Sequence, residues 1–136
     1  MDFSKSMSVA ASGMRAQTER MKIIAENIAN ANSTATNKNG DPYRRKIATI
    51  NSTFDRELGA TLVTAGKPVP DQKEFRSQYD PGNPNADNQG YVKLPNVDSL
   101  VEIMDMREAQ RSYEADLTVM DSTKQMLAKT IDLLKR

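Results

Sequence analysis

The chain has 136 residues, a formal net charge of +1 and only 5% aromatic residues, which favours a single domain with at most a small appendage. It contains no cysteine and no histidine, so disulfides, thiol nucleophiles, the usual zinc sites and histidine-based catalysis are excluded. The near-neutral charge gives no reason to expect nucleic acid as a partner, and the lack of a long apolar run predicts no membrane span and no cleaved secretory signal.

The first 32 residues carry apolar side chains at helical spacing, which predicts an N-terminal helix. With Met7 at heptad position a, the apolar a and d positions form one stripe that is broken only by Gln17. Such a sustained heptad pattern predicts coiled-coil-like packing along a seam. The predicted seam residues of this helix are Met7, Met14, Gln17, Met21, Ile24 and Ile28.

The central residues 33–96 contain all six prolines and five of the six glycines. Two strand-like runs, residues 43–50 and 73–79, are separated by turn-rich loops. With so few large apolar side chains, this segment is expected to form a short strand or hairpin segment and not an independently stable domain.

One central loop, residues 79–90, resembles a calcium-binding loop because Asn83, Asn85 and Asp87 alternate along it. The resemblance is weak, since Asn88 stands where the turn glycine should be and Leu94 where the bidentate glutamate should be. A rigid turn built by Asn, Asp and Pro is the favoured interpretation.

Residues 97–136 repeat the heptad pattern and predict a C-terminal helix, with Ser99 and Glu102 as a capping box or Asn96 as an alternative cap. The predicted fold is therefore mainly α with a small β insert, in which antiparallel N- and C-terminal helices form a coiled-coil-like hairpin. If Ala31 lies level with residue 97, Gln17 lies opposite about residue 111, so Gln17 is predicted to meet Gln110 or to share a neighbour with it. The seam residues of the second helix are Ile103, Met106, Gln110, Tyr113, Leu117, Met120, Leu127 and Ile131.

Each helix also carries a second apolar stripe at heptad position c, about 130° from the centre of the seam at roughly 100° per residue. One partner helix cannot cover both stripes. A sheet from the central segment is one candidate cover, but its shortage of apolar residues favours a neighbouring molecule, through a heterologous contact that propagates into rings or helical assemblies. The predicted intersubunit contacts are Val9, Ile23, Asn27, Asn30, Val119, Met126 and Leu133.

No nucleophile has a base beside it, and no glycine loop has a phosphate-binding form, so the sequence predicts neither an enzyme nor a cofactor site. The carboxylates of the second helix are spread around its outer faces, as solvated side chains usually are.

The segment SGMRAQTERMKIIAENIANANS, residues 12–33, resembles the N-terminal signature of the flagellar axial proteins, the family of rod, hook and hook-associated subunits. Residues 105–134, DMREAQRSYEADLTVMDSTKQMLAKTIDLL, look like the partner helix of that family. The central motifs GDPYRRK, residues 40–46, and YDPGNPNADNQGYVKLPNVD, residues 79–98, resemble specifically its small proximal-rod group. One departure is that residues 33–37 read STATN where the family often has Thr-Thr-Gly-Tyr-Lys.

The resemblance implies a structural subunit of the proximal rod, the drive shaft of the flagellar basal body, which crosses the periplasm. It implies export without a cleaved signal peptide by the flagellar type III apparatus and assembly beneath a rod cap. The implied partners are other rod subunits, further copies of the chain, and the junction protein that joins the rod to the membrane ring. A small envelope-associated helical adaptor that responds to calcium is the alternative from another functional class.

Overall fold

The computed structural model describes residues 2–135. Along the chain, one long helix precedes and another follows a central region of short strands, so the predicted order of elements is confirmed. Helix α1 spans Phe3–Ala29 and helix α2 spans Ser99–Leu134. The strands are β1 (Lys46–Ile47), β2 (Ile50–Asp55), β3 (Ala60–Ala65), β4 (Val69–Pro70), β5 (Arg76–Tyr79) and β6 (Tyr91–Leu94).

Helix α1 begins at an aspartate and ends in the asparagine-rich segment. Asp2 caps its first turn, because Asp2 Oδ1 accepts a hydrogen bond from Lys5 N at 3.1 Å. At the other end, Asn30 Nδ2 donates to Glu26 O at 2.9 Å and Ser33 Oγ donates to Asn30 O at 2.9 Å. These side chains bond to backbone carbonyls of the last turn, as Asn and Ser commonly do where a helix ends.

Helix α2 is capped by Asp98, and not by Ser99 or Asn96 as the sequence suggests. Asp98 Oδ1 accepts from Leu100 N at 3.0 Å, and Asp98 O accepts from Glu102 N at 3.0 Å. The expected capping box does not form because the Glu102 carboxylate is bonded to Arg45 and Asn27 instead.

The strands form three separate two-stranded antiparallel sheets, β1–β4, β2–β3 and β5–β6. The β2–β3 hairpin is the longest, running from Ile50 opposite Ala65 to Asp55 opposite Ala60. Asp55 Oδ1 accepts from Glu57 N and Leu58 N in its loop, and Gly59 completes the turn at φ 70°, a conformation that favours glycine. The predicted runs 43–50 and 73–79 contain β1 and β5, whereas β3, β4 and β6 lie outside them and β2 shares only Ile50 with the first run.

The chain divides into two compact units that do not follow its linear order. Unit 1 comprises the chain up to Met21, Thr49–Lys67, and the chain from Arg107 onward. Unit 2 comprises Lys22–Ala48 and Pro68–Met106. Each unit takes a piece of each predicted segment, 1–32, 33–96 and 97–136, and the boundary falls within both helices.

The two units have different interiors. In unit 2 the buried apolar residues are mostly large and branched, namely Ile23, Ile24, Val92, Leu94 and Val97, with Ala31 and Ala86. In unit 1, the described apolar residues that are buried are all alanine, namely Ala10, Ala16 and Ala109. Because buried apolar area drives folding, unit 2 contains most of the hydrophobic stabilisation that the chain can generate alone.

Candidate assembly surfaces and a buried polar network

A charged pair lies at the centre of unit 2. The Glu102 side chain is 0% exposed, and its Oε1 accepts a hydrogen bond from Arg45 Nε. The same guanidinium bonds Asp71 Oδ2 at 3.1 Å and lies 3.6 Å from Asp105 Oδ2. A buried carboxylate is tolerated only when it is paired and hydrogen-bonded, and Arg45 provides both.

Asn27 connects the end of α1 to this pair. Its Oδ1 accepts from Tyr43 Oη at 2.7 Å and from Lys46 N at 3.0 Å. Its Nδ2 donates to Lys46 O at 2.9 Å and to Glu102 Oε2 at 3.4 Å. These four bonds use the full donor and acceptor capacity of a side-chain amide. Asn27 is 1% exposed, so the predicted intersubunit role is corrected: its partners lie in its own chain.

Asn96 joins the central motifs 40–46 and 79–98, and Arg76 connects the second of them to the end of α1. Asn96 Oδ1 accepts from Arg45 N at 2.7 Å, and its Nδ2 donates to the carbonyls of Asp71 and Lys73, each at 3.0 Å. Arg76 donates to Pro95 O at 3.0 Å and to Ala31 O at 2.7 Å. Residues 40–46 and 79–98 therefore meet in one largely buried polar network, consisting of Asn27, Tyr43, Arg45, Asp71, Asn96 and Glu102.

The surroundings shift the pKa values of three groups of the network, Asp71, Arg45 and Tyr43. Hydrogen bonding to the Lys73 backbone, together with Arg45, holds the pKa of Asp71 below its ordinary value of 3.8 despite partial burial. Burial lowers the pKa of Arg45, but its hydrogen bonds to Glu102 and Asp71 outweigh this and raise it overall. Burial, with Glu26 and Glu102 nearby, raises the pKa of Tyr43. Arg45 and its carboxylate partners thus hold separate segments of unit 2 together.

The loop that resembles a calcium site is a pair of hydrogen-bonded turns. Asp87 Oδ1 accepts from Gln89 N at 2.8 Å and Tyr91 N at 2.9 Å, and Asn83 Oδ1 accepts from Asn85 N at 2.9 Å. These are turns of the kind that Asp and Asn form, as the favoured interpretation predicts. In residues 2–135 no group of three or more acidic side chains is arranged to hold a metal ion.

In unit 1, α1 and α2 approach closely at a glycine. A Cβ placed on Gly13 would lie 2.4 Å from Asp116 Oδ2, so only glycine fits there without displacing that carboxylate. Burial raises the pKa of Asp116. Two turns along α1, Arg20 pairs with Glu108 at 3.6 Å. Beside the glycine, Ser12 Oγ accepts from Val63 N at 3.3 Å and so attaches β3 to α1. The sequence offers a signal for this contact, namely a glycine inside a helical pattern.

The predicted seam residues fall into two groups. Ile24 is buried, and Met7, Met14, Gln17, Met21, Ile28, Met106, Tyr113 and Met120 are half-buried. The second group, which is exposed, consists of Ile103, Gln110, Leu117, Leu127 and Ile131. The most buried positions of α2 are Glu102, Ala109 and Thr123, spaced by seven and fourteen residues and one place before the predicted a positions. Small or paired polar side chains thus occupy the most buried positions of α2, and most of its large apolar residues are exposed.

Three seam residues do come together in unit 1. Met7, Met120 and Leu127 line an open apolar groove of about 510 Å³, with Phe3 at one end. The two glutamines behave differently: Gln17 Oε1 has no hydrogen-bond partner in the described chain, and Gln110 is exposed. The predicted direct hydrogen bond between them is absent, and a shared neighbour stays a prediction.

The predicted intersubunit contacts also divide. Val9, Val119, Met126 and Leu133 are exposed, Leu133 by 69%. Ile23 is buried in the unit 2 core, and the Asn30 amide is bonded to Glu26 O of its own helix. For Ile23 and Asn27, partners within the chain replace the expected neighbour, because the central segment folds over this end of α1. Asn30 is half-buried, and its intersubunit contact stays a prediction.

Comparison with known proteins agrees with this architecture. Residues 7–35 match the family model described as "Flagella basal body rod protein", and residues 88–133 match "Flagellar basal body rod FlgEFG protein C-terminal". A curated relative from Agrobacterium fabrum, "Flagellar basal-body rod protein FlgC", is 50% identical over 127 residues, covering 93% of this chain and 91% of the relative. The chain belongs to the FlgC family of flagellar basal-body rod proteins.

Other FlgC proteins extend the match across nearly the whole chain. The Bacillus subtilis protein is 38% identical and covers 96% of this chain and 97% of its own length, and the Aquifex aeolicus protein is 36% identical with 99% coverage of both. The FlgC-family chain is a structural subunit of the flagellar basal-body rod, and the calcium-responsive adaptor is not favoured. No helix in residues 2–135 has the length and hydropathy needed to cross a membrane.

Proposed function

We propose that this FlgC-family subunit builds the proximal part of the rod by packing its terminal helices against neighbouring subunits. Its neighbours are other rod proteins, further copies of the chain and the junction protein that joins the rod to the membrane ring. The chain reaches them unfolded, through the flagellar type III export apparatus and beneath the rod cap. The observation that carries the proposal is the number of large apolar side chains that α2 leaves exposed.

The proposed assembly element is an antiparallel, coiled-coil-like helical hairpin. Within unit 1, Gly13 lies beside Asp116, and Arg20 pairs with Glu108. Residue numbers thus rise along α1 as they fall along α2, as they do in an antiparallel pair. Within unit 2, Asn27 bonds Glu102, which continues the same trend. These contacts are polar or involve glycine, so this hairpin brings its helices together through small and paired side chains and leaves apolar seam residues for neighbours.

The outer face of α2 is the principal proposed surface. Val119, Met126 and Leu133 recur every seven residues on this face and are 49%, 41% and 69% exposed in the single chain. At about 25 cal/mol per Å² of apolar area, covering such side chains is a substantial driving force for association. Because the described apolar residues buried in unit 1 are all alanine, a neighbour that covers this face also completes a core that the single chain lacks.

The apolar groove of unit 1 is the second proposed surface. Met7 and Met120 line it, and methionine side chains adapt to neighbours whose surfaces are not identical. A large side chain from the α2 face of an adjacent subunit fits the chemistry of this groove. Such a contact joins different patches on the two partners, as a propagating assembly requires.

The test replaces apolar residues of the outer face in cells. Met126→Glu and Leu133→Glu are expected to abolish rods in purified basal bodies viewed by electron microscopy, while export of the variants continues. Gln125→Glu, at an exposed polar position about 100° around the helix from Met126, is the matched control and should assemble normally. Normal rods in both apolar-face variants, or in a strain that lacks the protein, would refute the proposal.

A further inference from the structure

The two edges of the β2–β3 hairpin have different surroundings. On the β3 edge, Val63 N donates to Ser12 Oγ of α1 at 3.3 Å. Val63 lies opposite Ser52, and its N–H points away from β2, so these two residues form a non-hydrogen-bonded pair. The N–H and C=O groups of Ser52 must therefore point outward, on the opposite edge of the hairpin.

The same alternation sets the direction of the neighbouring backbone groups. Thr49 O accepts from Gly66 N at 2.8 Å just before β2, so every second residue from Thr49 bonds across the hairpin. Ile50, Ser52 and Phe54 lie between those residues and present their N–H and C=O groups on the outer edge. Within residues 2–135 no backbone or side-chain group forms a hydrogen bond to this edge.

This edge is also apolar on one face. Ile50 and Phe54 lie on the same side of β2, four residues apart, and are 42% and 61% exposed. A two-stranded hairpin is marginally stable without further support, and a third strand would provide it by pairing with this edge and covering the two side chains.

The strands of the other two sheets, β1, β4, β5 and β6, carry the features that normally prevent edge pairing. β1 and β4 have two residues each and contain Lys46 and Pro70, and β5 and β6 have four residues each and contain Arg76 and Lys93. Charges, prolines and short length are the usual protection of an exposed edge. β2 has six residues, and its single charged residue is Asp55 at its end.

We propose that the outer edge of β2 binds an extended segment of a different rod protein as a third strand. A row of alternating backbone donors and acceptors is complemented by another extended backbone, in the mode known as β-augmentation. The segment that fits is uncharged and carries apolar side chains at alternate positions, opposite Ile50 and Phe54. The inference rests on the proposed assembly with other rod subunits and adds a surface separate from α2.

A second copy of this chain is the poorer occupant. Its β3 edge is already bonded to Ser12, and its remaining strands are short and charged or contain proline. Its own β2 could pair only with β2 of the first copy in a two-fold manner, and a two-fold contact closes on itself and does not propagate along a rod.

Two proline variants separate the edges of the hairpin. Ser52→Pro removes an outward N–H from β2 without breaking a hydrogen bond to β3, because proline is tolerated at edge positions. Thr61→Pro is the matched control, since Thr61 lies opposite Phe54 and its N–H is on the β3 edge. We expect Ser52→Pro to lower the number of rods per cell by about tenfold or more and Thr61→Pro to change it little. Equal rod numbers in the two variants would overturn the proposal.

Hydrogen exchange tests the unmodified protein and guards against misfolding of the variants. The amides of Ile50, Ser52 and Phe54 should exchange about tenfold or more slowly in purified basal bodies than in the isolated chain. Unchanged exchange in basal bodies whose rods are intact would overturn the edge proposal while leaving assembly through α2 untouched. A Ser52→Cys variant that forms a disulfide-linked homodimer in basal bodies would overturn the assignment to a different protein.

Discussion

Asn27 and Glu102 are 75 positions apart in the chain, and their side chains meet at 3.4 Å inside unit 2. Asn27 belongs to the last turns of α1 and Glu102 to the first turn of α2. Lys46, from the central GDPYRRK motif, bonds the same asparagine through its backbone. One buried contact thus joins α1, the central GDPYRRK motif and α2, and its removal has measurable consequences.

Removing the carboxylate of Glu102 should destabilise the chain strongly. Glu102→Ala removes the buried partner of Arg45 and a bond of Asn27, but Arg45 keeps Asp71, so we expect a loss of about 1–3 kcal/mol. The matched control is Glu108→Ala on the same helix, because Glu108 also pairs with an arginine but its side chain is 68% exposed. We expect that control to lose less than about 1 kcal/mol. Urea unfolding followed by circular dichroism measures both, and equal midpoints would contradict the central role of the pair.

The two asparagines at the end of α1 should differ in their effect on stability. Asn27→Ala leaves the Tyr43 hydroxyl and the Lys46 backbone without partners, and each buried unsatisfied group costs about 1–3 kcal/mol. Asn30→Ala removes a bond to a carbonyl of its own helix, so its effect should stay within about 0.5 kcal/mol. Thermal unfolding of the two purified variants gives the comparison. A melting temperature that falls equally in both would refute the network around Asn27.

Asp116 should make stability fall as the pH rises. Burial raises its pKa in the folded chain above the ordinary 3.8, so the folded state binds this proton more tightly than the unfolded state does. This contribution is fully present below the unfolded pKa and is lost as the pH rises through the folded pKa. Asp116→Asn should therefore be more stable than the parent at pH 7, with the gain disappearing toward pH 3. Urea midpoints across this range test the sign, and a variant less stable at pH 7 would contradict it.

Gly13 should tolerate a methyl group only when Asp116 is shortened. Gly13→Ala gains about 1 kcal/mol of helix propensity, but its Cβ would meet the Asp116 carboxylate at 2.4 Å. We expect the single variant to lose stability despite the gain in propensity, and Gly13→Ala to become stabilising in an Asp116→Ala background. A double-mutant cycle on urea unfolding measures the coupling. Additive effects would show that the carboxylate moves aside without cost.

The helices were predictable because their apolar periodicity is long. Residues 1–32 and 97–136 each sustain it over several turns, and tertiary contacts shift only the ends. β3 and β6 were missed for different reasons. β3 lies in a hairpin without clear polar alternation, and β6 is four residues long and follows a turn-rich loop.

The inner face of α2 could not be predicted from apolar periodicity. Its buried positions are Glu102, Ala109 and Thr123, which a search for large apolar residues ignores. Asn27 was assigned to the wrong partner for a related reason. A polar residue at the edge of a seam needs hydrogen bonds, but the sequence does not say whether the same chain or a neighbour provides them, and here Tyr43 and Lys46 do so.

The four bonds of Asn27 also restrict which residue can occupy that position. Aspartate would lose both donors and place a second negative charge beside Glu102, and glutamine would carry the same amide one methylene too far. Leucine has the size of asparagine and would leave every partner unsatisfied. None of these three replacements satisfies all the partners of Asn27. The shape and polarity of its amide therefore explain the first asparagine of the motif NIANAN.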